Sequence, residues 1–468
     1  MHWTLRYFLI LGTALFCHDL ALSQKTIISG TAPGAERKLI RVSAPGDLIT
    51  FWEKPLGSAR VDSAGRFTIS VALDKITVAS VFIDFHRSEL ILEPSGKYDL
   101  RIYPPDDDVY TEVDPLLESQ SLNCSIINAD SSELNNLVGE FDSLYSGFLT
   151  QNFNALYHDR NKVLLDTFRI RINQRFGNVK NPYFINHISY KIASLEQLTQ
   201  YYNQSQLAKK YFSDKPVLYN NLEYMDFFNN YFSRYLTVTS NVLRKIDLHP
   251  VLKSADPYAG VLKSMTADTL LKNNRLRELV MLKGMMELYS TPGYDQAEVL
   301  SVIKRAGEKS PFAENREVAG NMISLLTKLK PGTLAPDFTL LNRDQKEVSL
   351  KNLRGKPVVL CFWTTYCDAC LSEMEMIRPL YDSFKDKVQF ISVSADKSFT
   401  KMLFFIKLKK NFIWTFVHIG DHVEVLKDYD VGTYPLFVLI DKEGKIYKYP
   451  AAQPSNGLEA ELQKISEE

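Results

Sequence analysis

The stretch Val358-Val359-Leu360-Cys361-Phe362-Trp363-Thr364-Thr365-Tyr366-Cys367-Asp368-Ala369-Cys370 decides the fold. Its apolar, β-branched run reads as a buried strand that closes on Phe362 and Trp363, and a helical pattern opens at Leu371. Two thiols therefore stand at a strand-to-helix turn, with Cys367 near the helix start. Unpaired backbone N–H groups and the positive dipole end favour a thiolate there. Two cysteines separated by two residues close a disulfide with little backbone movement, so one can attack a partner and the other can resolve the mixed disulfide. The same pair could instead be a structural disulfide or half of a zinc site. Zinc takes about four ligands, and no second Cys/His pair lies nearby in sequence. We therefore expect redox chemistry with no metal and no cofactor.

Around this motif, strand 358–363, helix 371–384 and strand 388–394 form a βαβ unit, and helix 399–408 comes next. A strand near 414–417, strands 436–440 and 446–449 and a helix over 457–465 follow. That order predicts an α/β region whose central sheet is covered by helices on both faces. The linker Lys330-Pro331-Gly332-Thr333 opens it.

Upstream the period is helical. Leu134, Leu137, Val138, Phe141, Leu144, Tyr145 and Phe148 share a face, with Asp130 as N-cap and Glu133 completing a capping box. Asn181-Pro182 starts another helix with the stripe Phe184, Ile185, Ile188, Ile192 and Leu195. A third carries Tyr224, Phe227, Phe228, Tyr231, Phe232 and Tyr235, read as an ordinary core face. Before position 124, short apolar stretches alternate with the turns Pro33-Gly34, Pro45-Gly46, Ser63-Ala64-Gly65 and Pro94-Ser95-Gly96, which predicts an antiparallel sandwich or barrel, the sandwich being the expected form. The expected layout is a signal peptide over 1–23, a β-sandwich-like domain over 24–125, an all-α domain over 126–330 and the α/β domain over 331–468.

The chain of 468 residues carries 55 basic and 55 acidic side chains, so charge does not point to nucleic acid or to an anionic membrane. Arg6, the apolar run from Tyr7 to Cys17 and the small residues of Ala21-Leu22-Ser23 read as an export signal, too short to span a bilayer. A lipoprotein reading would use Cys17, but the bulky Phe16 before it argues against. Once Cys17 leaves, Cys124, Cys361, Cys367 and Cys370 remain, too few for a disulfide-stapled scaffold. An exported chain with one C-x-x-C reads as a redox catalyst for other proteins' disulfides.

Together with Ala335-Pro336-Asp337-Phe338-Thr339-Leu340, Leu353-Arg354-Gly355-Lys356-Pro357, Glu373-Met374, Tyr434-Pro435 and Leu439-Ile440-Asp441-Lys442-Glu443-Gly444-Lys445, the motif resembles the thioredoxin superfamily. More narrowly, it is similar to the TlpA/ResA-like thiol-disulfide oxidoreductases. The layout also resembles a multidomain organisation common in Bacteroidetes. The resemblance implies a thioredoxin-like fold, Cys367 as attacking thiol, Cys370 as resolving thiol, and a redox-active Cys367–Cys370 disulfide. It also implies Trp363 packed beside the disulfide and Pro435 in a cis bond presenting the Tyr434 backbone to a substrate strand. Tyr366, next to Cys367, and Glu373, one turn beyond Cys370, count as supporting residues. Implied partners are protein disulfide or dithiol substrates and a membrane or periplasmic electron donor, in a periplasmic or cell-envelope setting. The first two domains are expected to select substrates or mediate self-association.

Two positions depart from the family pattern. Cys361 replaces the buried acid before the first cysteine, and Glu375 replaces the helix proline after the second. Glu373 or Asp396 is then the candidate proton acceptor for Cys370. Asp368 between the cysteines should oppose thiolate formation. Cys361 reads as a core residue, Cys124 as an inert thiol, and His418 and His422 as exposed and idle. The alternatives are a thiol peroxidase of the AhpC/TSA type, for which Thr364 fits but Leu360 stands where a proline belongs, and a non-enzymatic partner-binding protein.

Overall fold

The computed structural model describes residues 24–84, 86–103 and 120–468. The expected signal peptide, Cys17 included, lies outside them.

In the strand Arg66–Leu73 every second residue is buried, because successive side chains point to opposite faces of a sheet. Phe67, Ile69, Val71 and Leu73 turn inward and Arg66, Thr68, Ser70 and Ala72 outward. This strand pairs antiparallel with Gln24–Thr31, which runs parallel to Lys97–Tyr103. The four-stranded sheet so formed faces a five-stranded one whose centre is Leu39–Pro45, Thr77–Ile83 and His86–Leu92. Ile28, Ile69 and Leu100 from one sheet and Val42, Val81 and Leu92 from the other form one cluster. Burying each such side chain contributes roughly 1.5–3 kcal/mol. The β-sandwich expectation holds.

The middle of the chain is helical from Leu134–Tyr157 to Ala313–Thr327. Two cores support it, one around Phe141, Phe168 and Phe184 and a larger one that buries Phe212, Tyr224, Phe227 and Phe228. Three expectations need correction. Glu133, not Asp130, caps the first helix, its carboxylate accepting from Asn136 N–H at 3.1 Å. Asp130 is occupied by Ser132, whose N–H and hydroxyl both donate to it. Ile185 stands 48% exposed, off the buried stripe. The helix Leu222–Tyr231 ends before Tyr235: Arg234 is left-handed at φ 47°, and Tyr235 opens a separate wide turn over Tyr235–Thr239. Tyr235 is still buried, its hydroxyl donating to Asp268.

The last region is a seven-stranded sheet. Its order is Glu347–Ser349, Thr339–Asn342, Thr415–His418, Gln389–Ser394, Val358–Trp363, Leu436–Ile440, Ile446–Lys448. Val358–Trp363 is buried at all six positions, as a strand covered on both faces must be. It runs parallel to Gln389–Ser394 and antiparallel to Leu436–Ile440. The parallel pair is joined through the helix Asp368–Phe384, the crossover that parallel pairing requires. Val359, Cys361 and Trp363 pack on one side with this helix, Phe399–Leu408 and Leu458–Glu467. Val358, Leu360 and Phe362 pack on the other with Val425, Leu426 and Tyr429 around Glu424–Asp428.

Polar contacts join the regions. Asn321 donates to Asp47 at 2.8 Å and Lys54 meets Glu317 at 2.9 Å. Arg41 pairs with Glu424, Arg60 with Asp421, Lys427 with Glu53 and Lys328 with Asp430.

Candidate active site

The buried strand Val358–Trp363 leads the chain to the C-terminal end of the strand, where Thr364–Tyr366 turn it into the helix Asp368–Phe384. Cys367 is the N-cap, with extended backbone (φ −93°, ψ 97°), and its Sγ accepts from Cys370 N–H at 3.1 Å. A helix leaves its first N–H groups unpaired, so here the sulfur itself meets one of them. The helix thus starts three residues earlier than the periodicity at Leu371 suggests. Cys367 and Cys370 are disulfide-bonded with Cα atoms 5.2 Å apart. Their exposure is unequal: Cys367 is half-buried and Cys370 has no exposed surface. Asp368 and Ala369 between them are exposed.

Trp363 is fully buried beneath the cysteines, its ring centroid 5.1 Å from Phe405 and 5.7 Å from Phe416. Tyr366 is 39% exposed beside Cys367. The Tyr434–Pro435 peptide is cis, and Tyr434 packs against the cluster that contains both cysteines. Trp363 and Cys370 lie in one buried cluster, and Cys367 and Tyr434 pack against it.

The loop before Cys367 is tied by Asp396. Its carboxylate accepts from Thr365 N–H at 3.0 Å, from the Thr365 hydroxyl at 2.7 Å and from the Ser394 hydroxyl at 2.7 Å. Asp396 is buried, and these bonds supply what water would otherwise give a charged group. It acts as a tether for the loop, a role the sequence did not suggest.

His418 corrects an expectation. It is buried rather than exposed, and its Nδ1 accepts from Gly420 N–H at 2.9 Å. The remaining proton sits on Nε2, which donates to the Asp396 carbonyl at 2.7 Å. Burial pushes its pKa down, partly offset by Asp396. His422 is half-exposed at the junction with the β-sandwich, beside Glu424 at 3.0 Å, and its pKa is also lowered, by burial first and then by Arg41 and Arg60.

Glu373 is also more enclosed than a helix-surface charge. It is 9% exposed and accepts from the Ser455 N–H at 2.9 Å and from the Ser455 hydroxyl. Its charge reaches Cys361 in the adjacent strand. Burial first, and Glu373 second, push the Cys361 thiol well above the ordinary range. Burial alone raises Cys124 to about 11. Both thiols are held protonated and poorly nucleophilic at neutral pH. Glu375 is exposed and pairs with Lys409 at 2.6 Å. A proline does stand inside this helix, but further along, at Pro379.

A parallel strand–helix–strand unit with the bonded cysteines at the helix tip defines a thioredoxin-like fold. Residues 331–449 match the AhpC/TSA family. The thiol-disulfide oxidoreductase ResA of Bacillus cereus is 36% identical over 146 residues, which is 30% of this chain and 80% of that protein. The thioredoxin-like protein YneN of Bacillus subtilis is 32% identical over 121 residues, 25% of this chain and 69% of that one. A thiol:disulfide interchange protein from a Bacteroides species, solved in solution, is 28% identical, with 30% of this chain and 93% of that one covered and a TM-score of 0.28. Through its last region the chain belongs to the ResA-like thiol-disulfide oxidoreductases.

Proposed function

We propose that the protein exchanges disulfides with protein substrates outside the cytoplasm, with Cys367 as nucleophile and Cys370 as resolving thiol. The observation that carries this reading is the unequal exposure of two bonded sulfurs at one helix tip. Cys367 can meet a partner, whereas Cys370 can reach only Cys367.

In the reductive direction the Cys367 thiolate attacks a substrate disulfide, forming a mixed disulfide and releasing one substrate thiolate. The Cys370 thiolate then attacks Cys367 Sγ, and the second substrate thiolate leaves. Two electrons have passed to the substrate and Cys367–Cys370 is oxidised. An external dithiol donor, membrane-bound or periplasmic, returns it to the reduced form. Glu373, one turn beyond Cys370 and bonded to Ser455, and Asp396, bonded to Thr365 and Ser394, are the candidate proton acceptors for Cys370. Trp363 and Tyr434 form the apolar surround of the sulfurs, and Tyr366 and Pro435 border the approach.

Export is supported by the sequence of the first 23 residues. We place the domain boundaries near positions 125 and 330, and we assign substrate selection or self-association to the first two domains. The AhpC/TSA match does not favour a peroxidase, because Leu360 occupies the position where a peroxidatic site carries proline.

The test is insulin-disulfide reduction by the wild type and by Cys367→Ser with a chemical dithiol as donor. Turnover that vanishes in the variant supports the assignment. Equal rates in both proteins would remove it and favour a binding protein. Peroxide turnover without a protein disulfide would favour the peroxidase.

A further inference from the structure

The helix Phe399–Leu408 is apolar on opposite sides. Met402 and Ile406 turn inward and are buried in the cluster that holds Trp363 and Cys370. Phe404 and Leu408, one turn apart on the outer face, are 63% and 66% exposed, and Ile413 just beyond is 56% exposed. Single exposed apolar residues are unremarkable, but a second apolar face on a helix whose first is already buried raises the question of what covers it.

The helix that carries this face packs on the ring beneath the cysteines, Phe405 standing 5.1 Å from Trp363 between ring centroids. Cys367, Leu371 and Glu375 follow one another at four-residue steps along one side of the active-site helix. Glu375 is bonded to Lys409 at the end of the second helix. Glu375 stands about 12 Å, two helical turns, along the active-site helix from Cys367, and Lys409 follows Leu408 directly in the chain.

Charge indicates what covers it. Five lysines (397, 401, 407, 409 and 410) and no acidic residue occur between Asp396 and Asp421. Lys409 is neutralised by Glu375, whereas Lys397, Lys407 and Lys410 have no carboxylate partner among the described residues. A second copy meeting this face across a two-fold axis would set lysine against lysine. The chain's own β-sandwich and helical middle make their ion pairs with this region at 421–430, on the other side of the sheet.

We propose that the outer face of Phe399–Leu408, with Ile413, docks an acidic polypeptide that seats apolar side chains on Phe404 and Leu408 and offers its disulfide to Cys367. This rests on the reading of Cys367 and Cys370 as the exchanging pair, and it adds the class of substrate that pair receives.

The probes are a synthetic peptide closed by one disulfide, with glutamates and leucines beside its cysteines, and the same peptide with glutamine for glutamate. With the full chain at low ionic strength, kcat/KM for the acidic peptide should exceed that for its neutral counterpart by about tenfold, through KM, and the advantage should fade with salt. The variant K397E/K407E/K410E should bring the ratio near one. A charge-matched control, K209E/K253E/K263E on the helical middle, should keep it. F404S/L408S should raise KM for both peptides.

Binding is read separately, by fluorescence anisotropy of the labelled acidic peptide on Cys367→Ser, which needs no chemistry. Lysine-dependent binding without turnover in the wild type would uphold the docking face and remove the assignment of the cysteines. Equal binding of both peptides, or an unchanged ratio in the lysine variant, would overturn the proposal. Lysine-dependent retention on phosphatidylglycerol vesicles, with no discrimination between peptides, would also overturn it, in favour of a lipid surface.

Discussion

Cys361, in the middle of the central strand, and Cys367, at the tip of the helix that follows, carry the same thiol and meet opposite surroundings. Cys361 is walled in by the sheet and its covering helix, faces the negative charge of Glu373, and keeps its proton. Cys367 is half-exposed, caps a helix and receives an N–H on its sulfur. The difference teaches that backbone position sets thiol reactivity here. A strand interior withholds water and donors, whereas a helix start supplies both.

The strongest way to break this comparison is to remove each sulfur in turn. Cys367→Ser should lower insulin reduction by about a thousandfold or more, the scale of losing a nucleophile. Cys361→Ala should leave kcat/KM within about twofold. Cys370→Ser should accumulate a mixed disulfide with substrate at Cys367, visible by mass spectrometry. Comparable losses from Cys361→Ala and Cys367→Ser would end the distinction.

Alkylation sharpens it. In the reduced, folded protein at neutral pH, iodoacetamide should modify Cys367 about a hundredfold faster than Cys361 or Cys124. In denaturant the rates should converge.

Stability separates the two positions next. Asp396→Ala leaves the Thr365 N–H and hydroxyl without their acceptor and should cost about 1–3 kcal/mol in denaturant unfolding. Cys361→Ala opens a small void in a packed core and should cost about 1–2 kcal/mol.

The smallest effect concerns pH. His418 has a folded pKa below its unfolded value of about 6.5. Its contribution to stability is therefore complete above about pH 6.5 and is lost as pH falls towards the folded pKa, with a slope of at most about 1.4 kcal/mol per pH unit. His422 shifts the same way. Replacing His418 with Gln should flatten the stability profile between pH 7 and 5, and an unaltered profile would contradict the assignment.

The strand, the turn and the two cysteines were legible because they are local. A β-branched run, an aromatic pair and a C-x-x-C each announce themselves within a few residues. The layered order of sandwich, helices and α/β sheet followed from the change of period along the chain. What escaped is held by distant partners. Asp396 meets Thr365 across 31 positions and Glu373 meets Ser455 across 82, so no local pattern reveals that one is a tether and the other is enclosed. His418 looked like a loop residue because its burial depends on the carbonyl of Asp396, 22 positions earlier. The hairpin of Thr339–Asn342 and Glu347–Ser349 was missed because strands this short leave too little alternation to count. At the first helix, Asp130 and Glu133 both qualify as caps by type. Ser132 took Asp130, and the helix began one residue after Glu133.

The ion pairs that join the oxidoreductase region to the rest of the molecule fall within 421–430. The heavier body therefore grips its reactive module from behind, as a handle holds a blade. The side of the sheet that carries the helix of Cys367 and Cys370 takes no part in those ion pairs among the described residues.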